Sequence, residues 1–162
     1  MTKMIATMLG LGNLSSMPGT LGSAAAVPLA VTIHMAGGFW ALLIATLVMT
    51  ALGWWATEVQ VATRPGEDPS EIIIDELVGQ WIALWVVSFG ASHAGVSILK
   101  LWPGLVAAFV FFRLFDITKW GLVGMADRRH DSLGIMLDDI VAGVQAATCV
   151  AILGYLWHAV FM

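Results

Sequence analysis

The chain has 162 residues, of which 59% are hydrophobic and 11% charged, with a mean hydropathy of +0.89. A soluble domain carries roughly 25% charged residues, so this composition excludes one and points to an integral membrane protein of one domain, residues 1–162. A net charge of -4 with no basic stripe argues against a nucleic-acid partner.

The first 20 residues carry one Lys and an apolar run broken by Ser15 and Ser16, so they read as retained rather than as a signal peptide. A Pro18-Gly19 turn follows, with Thr20 as a candidate N-cap, and then an Ala-rich segment that predicts a short helix, only partly spanning, despite Pro28. Segment two, 38–59, is apolar for roughly 20 residues and carries Trp40 near one end and Trp54 and Trp55 near the other, where aromatic belts lie. A polar loop over 60–70 contains Arg64, Pro65, Gly66, Glu67, Asp68 and Pro69.

Segment three, 71–90, opens on Glu71, Asp75, Glu76 and Gln80 and then turns apolar. A short loop with His93 and Lys100 leads to segment four, which starts near Trp102-Pro103 and carries Arg113, Asp116 and Lys119 in its second half. A second polar loop, 126–134, joins segment five, 135–161, which opens on Asp138 and Asp139. The single Cys149 sits inside this last segment and reads as a buried, inert thiol.

The fold expected is all-α, an integral membrane bundle of about four to five helices. If segments one and two form a hairpin and each later segment crosses once, the 60–70 and 126–134 loops share a side with the N-terminus. Lys3, Arg64, Lys119, Arg128 and Arg129 fall toward that side and only Lys100 toward the other, which makes the first side cytoplasmic. The Pro-Gly-Thr turn, Asp75-Glu76, Arg113-Asp116-Lys119 and Asp138-Asp139 all gather on that same face.

Acidic residues in a helix's first turn are favoured by its dipole, by about 0.3 to 1 kcal/mol, so either acidic pair alone could be an interfacial cap. Two such pairs on one face, followed by small residues that let helices approach (Gly79 with Ala83, Gly143 with Ala147), favour a shared metal site between helices. All-oxygen ligands beside water suit Mg²⁺. Arg113, Asp116 and Lys119 are spaced three apart, so each neighbours the next on a helix. They could be a self-neutralised strip with Lys119 snorkelling. Arg113, roughly 9 Å of helix inside Lys119, is deep for that role, and its planar fork suits a phosphate. The small residues and hydroxyls from Pro18 to Ser23 would assist as an anion site. His130 is within reach of the same face, while His34, His93 and His158 are isolated.

PGTLGS (18–23), IDELVGQW (74–81), FFRLFDITK (111–119), Asp127-Arg128 and GIMLDDIVAG (134–143) closely resemble, in order and spacing, the bacterial phosphatidylglycerophosphatase A family. The resemblance implies a Mg²⁺-dependent inner-membrane enzyme that converts phosphatidylglycerophosphate to phosphatidylglycerol and phosphate. The chain departs from the family's Lys-Pro-x-Pro run at 119–122 and from its Gly-Gly pair at Asp131-Ser132. On this reading Asp75, Glu76, Asp138 and Asp139 hold one or two Mg²⁺, Arg113 and Lys119 clamp the phosphate with Thr20 and Ser23, and a metal-activated water attacks. Asp116 orients Arg113 or joins the metal set, with an aspartyl-phosphate route as the variant. The rivals are a small transporter or channel using intramembrane carboxylates, and a catalytically inactive relative of the same fold.

Overall fold

The computed structural model describes residues 1–62, 69–127 and 132–161, and all the regular structure among them is helical. Helix α1 is Thr2–Ala6, followed by a 3₁₀ turn at Leu11–Asn13; α2 is Pro18–Ala62 and α3 is Ile74–Ala94. A 3₁₀ turn at Ile98–Leu101 leads into α4, Trp102–Thr118; α5 is Leu122–Asp127 and α6 is Ser132–Phe161. The helical stretches Pro18–Ala62, Ile74–Ala94, Ile98–Thr118 and Leu133–Val160 are long and apolar enough to cross a membrane.

Helix α2, with 45 residues, would measure about 67 Å if straight, twice the ~30 Å hydrocarbon core. It is broken at Gly37 and Gly38, and Gly38 (φ 67, ψ -158) occupies a region open essentially to glycine alone. Contacts with α3 give the direction of each arm. Trp81 Nε1 donates to the Ala26 carbonyl at 2.9 Å and His34 pairs with Ser88 at 2.7 Å, so the N-terminal arm runs parallel to α3. Trp85 Nε1 donates to Thr46 Oγ1 at 3.1 Å while Gly53 packs on Ile74, so the C-terminal arm runs antiparallel. The two arms are the expected hairpin. The first, 18–36, is roughly 28 Å long and is a nearly full span rather than the short helix expected.

Helix α3 is the axis of the bundle. Leu77, Val78, Ala83, Leu84, Val87 and Ala91 are all buried, because both arms of α2, α4 and α6 pack around it, as the all-round apolar sequence requires. Gly79 is tightly enclosed on two sides: a Cβ there would collide with Phe112 of α4 and stand 2.6 Å from the Asp139 carbonyl of α6. A Cβ on Gly143 would in turn collide with the Gly79 carbonyl. Trp54, Trp55 and Trp120 are exposed toward one end and Trp40, Trp102 and Trp157 toward the other, as belts at two interfaces.

Five boundaries differ from expectation. Pro18 and Gly19 begin α2 instead of forming a turn, so Thr20 lies in its first turn and is no N-cap; proline at the first helical position loses no bond. Helix α3 starts at Ile74, three residues after Glu71, and His93 lies in its last turn rather than in a loop. Segment four stops at Lys119, a left-handed cap (φ 50) whose N–H bonds the Phe115 carbonyl at 2.9 Å, and after Gly121 (φ 69) the chain forms the separate α5. Helix α6 begins at Ser132, so Asp138 and Asp139 lie two turns inside it and its first turn is free of acid. The dipole-cap alternative therefore applies to Asp75 and Glu76 but not to Asp138 and Asp139.

The Gly79–Gly143 contact carries a direct expectation. Gly143→Val should lower stability by about 1 to 3 kcal/mol, since the helices must separate, whereas Gly154→Val, with nothing within 4 Å, should be neutral. Thermal unfolding of the two variants in detergent checks this, and equal behaviour would refute it.

Candidate active site

At one end of the bundle the start of α2, the approach to α3, the end of α4, α5 and the start of α6 enclose a pocket of ≈ 740 Å³. Among the described residues six carboxylates line it, Asp75, Glu76, Asp116, Asp127, Asp138 and Asp139, against two cations, Arg113 and Lys119. Helical spacing explains each contribution. Asp75 and Glu76 open α3, Arg113 and Asp116 share one face of α4, and Asp138 and Asp139 face α3 across the Gly79–Gly143 contact.

The cations are not spread evenly. Arg113 is paired with Asp116, and Lys119 Nζ reaches Asp116 at 3.0 Å, Asp138 at 2.5 Å and Asp127 at 3.7 Å. Among the described residues no Lys or Arg forms such a pair with Asp75, Glu76 or Asp139. Among the described residues Glu76 Oε2 and Asp139 Oδ1 are buried acceptors with no hydrogen-bond donor, and Arg113 Nε is a buried donor with no acceptor. Uncompensated buried carboxylates are costly, so this corner has the composition of a cation site.

Oxygens of Asp75, Glu76 and Asp139 lie within 4.8 Å of one another, and so do those of Asp116, Asp138 and Asp139. Asp139 belongs to both groups. Hard divalent cations take such all-oxygen sets, and the residues present fit one. The backbone N–H groups of Glu76 and Asp139 bond to Asp75 Oδ1 (3.0 Å) and Asp138 Oδ1 (2.9 Å), which orients the first carboxylate of each pair.

The residues singled out in the sequence are placed as follows. Asp75, Glu76, Arg113, Asp116, Lys119, Asp138, Asp139 and Thr20 all line the pocket. Ser23 is fully buried behind Arg113: it donates to the Gly19 carbonyl at 2.8 Å and accepts from Arg113 Nη1 at 3.3 Å. Arg64, Arg128, Arg129, His130 and Asp131 lie outside the described residues. Sequence reasoning placed Gly19 only in a turn and among the small residues of the 18–23 anion site, and gave Asp127 no chemical role beyond its place in a family motif. A Cβ on Gly19 would collide with Glu76 Oε1 and approach Arg113 Nη1 to 3.2 Å, so a larger residue there would displace the Glu76 carboxylate. The signal for Asp127 was its place in the polar loop beside the Asp138-Asp139 pair.

Apolar helices bearing a one-sided pocket of carboxylates, an arginine and a lysine define a membrane-embedded protein whose site can take both a cation and an anion. The family model for Phosphatidylglycerophosphatase A matches residues 4–154. The chain is 29% identical over 164 residues to Phosphatidylglycerophosphatase A of Escherichia coli, covering 95% of this chain and 84% of that one. It is 31% identical over 153 residues to that of Haemophilus influenzae, covering 94% and 88%. It is also 32% identical over 153 residues to a putative phosphatidylinositol-3-phosphatase of Bacteroides thetaiotaomicron, covering 92% and 91%. No solved structure matches the chain. The chain belongs to the phosphatidylglycerophosphatase A family.

Burial opposes the charge on Lys119, yet its hydrogen bond to Asp138 and the charges of Asp116, Asp138 and Asp139 outweigh burial and hold its pKa above the ordinary lysine range. A pKa raised on folding stabilises the fold fully below the unfolded value of ~10.4, and that stabilisation is lost as pH rises through the folded value. The stability difference between the wild type and Lys119→Met should therefore stay constant from about pH 7 to about pH 10 and shrink only above that. Thermal melts across this range check it. A difference that fades near neutrality would show that these carboxylates do not hold the ammonium.

Proposed function

We propose that this protein is a Mg²⁺-dependent lipid phosphatase that hydrolyses phosphatidylglycerophosphate to phosphatidylglycerol and phosphate at the cytoplasmic face of a bacterial inner membrane. The observation that carries the reading is the presence, in one pocket, of cations able to take a phosphate beside carboxylates that have no Lys or Arg partner among the described residues and are able to take a divalent metal. The names of two relatives supply the substrate. The buried acids, Asp75, Asp116, Asp138 and Asp139, all lie at one mouth, where acyl chains can stay in the bilayer while the headgroup reaches water. The count of Lys and Arg toward this end supports its cytoplasmic orientation.

Hydrolysis of a phosphomonoester spreads charge over the phosphoryl oxygens and demands positioning more than covalent chemistry. Arg113 offers a planar fork whose Nε is unpaired in this structure, and Lys119 offers a point charge beside it. Together they bind the phosphate and stabilise the charge that develops on it. Asp116 touches both cations and is a positioning residue for them. Ser23 holds Arg113 from behind, and Thr20 faces the phosphate from the first turn of α2. Asp75, Glu76, Asp138 and Asp139, with Asp116 at hand, would hold Mg²⁺. When bound, the metal supplies neutralisation of phosphoryl oxygen charge and a lowered pKa for coordinated water.

The test is phosphate release by purified protein from phosphatidylglycerophosphate and, separately, from phosphatidylinositol 3-phosphate, with Mg²⁺ and with excess chelator. Release from the first, abolished by chelator, is expected; release from neither would overturn the enzyme, and preference for the second would overturn the substrate. Asp139→Asn should lower turnover about 100-fold to 1,000-fold with helical circular dichroism intact, and should remove any Mg²⁺-dependent rise in melting temperature. Arg113→Lys, which keeps the charge but loses the fork, should also lose most of the turnover; full activity would take the guanidinium out of the mechanism.

A further inference from the structure

Between the N-terminal arm of α2 and α4 runs an apolar groove of ≈ 240 Å³, lined by Ala24, Val27, Leu105, Val106 and Phe109. It lies on the same two helices that bring Thr20 and Arg113 to the pocket. The Ser23–Arg113 contact marks the junction. Ala24 follows Ser23 directly, and Phe109 is one turn before Arg113, so the groove begins about 6 Å deeper than the guanidinium, with Val106 about 10 Å deeper. That depth is within the hydrocarbon layer. Ile117, 64% exposed, lines the pocket on this same side. The wall thus passes from charged to apolar along one seam, without crossing another helix.

We propose that this groove holds an acyl chain of the lipid whose phosphate occupies the pocket, and that the α2–α4 seam is the side door through which that lipid enters from the bilayer. The inference rests on the lipid-phosphatase reading. Its carrying observation is that groove and pocket lie end to end on the same two helices. The chain lies in the groove equally in ground and transition states, so it contributes uniform binding and acts on KM rather than on kcat.

Ala24 is exposed and Val106 half exposed, so Ala24→Phe and Val106→Trp fill the groove without entering the core. Each should raise KM for dioleoyl phosphatidylglycerophosphate about fivefold or more with kcat within about twofold. Ile152→Phe, a comparable change on the lipid-facing side of α6, should leave both unchanged. Unaltered KM in both groove variants, with a wild type that turns the lipid over, overturns the proposal. A phosphatidic acid carrying a diazirine in its acyl chain should label 24–27 or 105–109, and excess phosphatidylglycerophosphate should remove the label; labelling confined to other helices overturns the groove. A wild type that releases no phosphate would instead remove the phosphatase reading, and the cross-link would still decide whether the groove takes a chain.

Discussion

Among the described residues six acidic side chains share a pocket at the mouth of a bundle that exposes many large apolar side chains, and the structure at that end is organised by how this charge is compensated. Lys119 is central. Its left-handed backbone caps α4, and from there its ammonium reaches Asp116 on its own helix, Asp127 on α5 and Asp138 on α6. One side chain thus ties three elements together by charge. Arg113 extends the compensation toward α2 through Asp116 and Ser23. What these two cations leave uncovered is Asp75, Glu76 and Asp139, and charge left uncovered at low dielectric is where a divalent ion is worth most.

That residual charge would be harmless if the carboxylates stood far apart. Missing side chains bring them together. Gly79 and Gly143 let the backbones of α3 and α6 touch, which sets Asp139 beside Asp75 and Glu76. Gly19 does the same for α2, admitting Glu76 and Arg113 against its first turn. In lipid, where helices gain little from hydrophobic burial against one another, such close backbone approach is a main source of packing energy. The same glycines therefore serve both the bundle and the pocket.

Much of this was legible in the residues. Apolar runs of spanning length, tryptophans at their ends and the alternation of polar loops gave the hairpin and the later crossings. Counting crossings gave the convergence of the four polar clusters on one face. The misreadings have local physical causes. Pro18-Gly19 has the composition of a turn, yet proline is equally at home at the first helical position. The run from Phe111 to Gly124 keeps helical composition, and only the αL conformations at Lys119 and Gly121 divide it. Ser132 and Leu133 are polar or loop-adjacent in sequence, yet they already belong to α6, which moves Asp138 and Asp139 two turns inward.

By itself the sequence determined that the chain is a membrane-embedded helical bundle and which end of it carries the charge, because hydropathy and segment length depend only on residue type and order. It also marked the acids and bases that meet there. Only the tertiary structure decided the pairing: that Lys119 neutralises Asp116 and Asp138, that Glu76 and Asp139 keep buried oxygens without donors, and that Ser23 stands behind Arg113 rather than in the pocket wall. The reason is geometric. Apart from the local Lys119–Asp116 pair, these contacts join residues on different helices, 19 positions apart for Lys119 and Asp138 and 90 for Ser23 and Arg113, and so depend on the rotation and separation of helices, which close approaches such as Gly79–Gly143 set and no periodicity encodes.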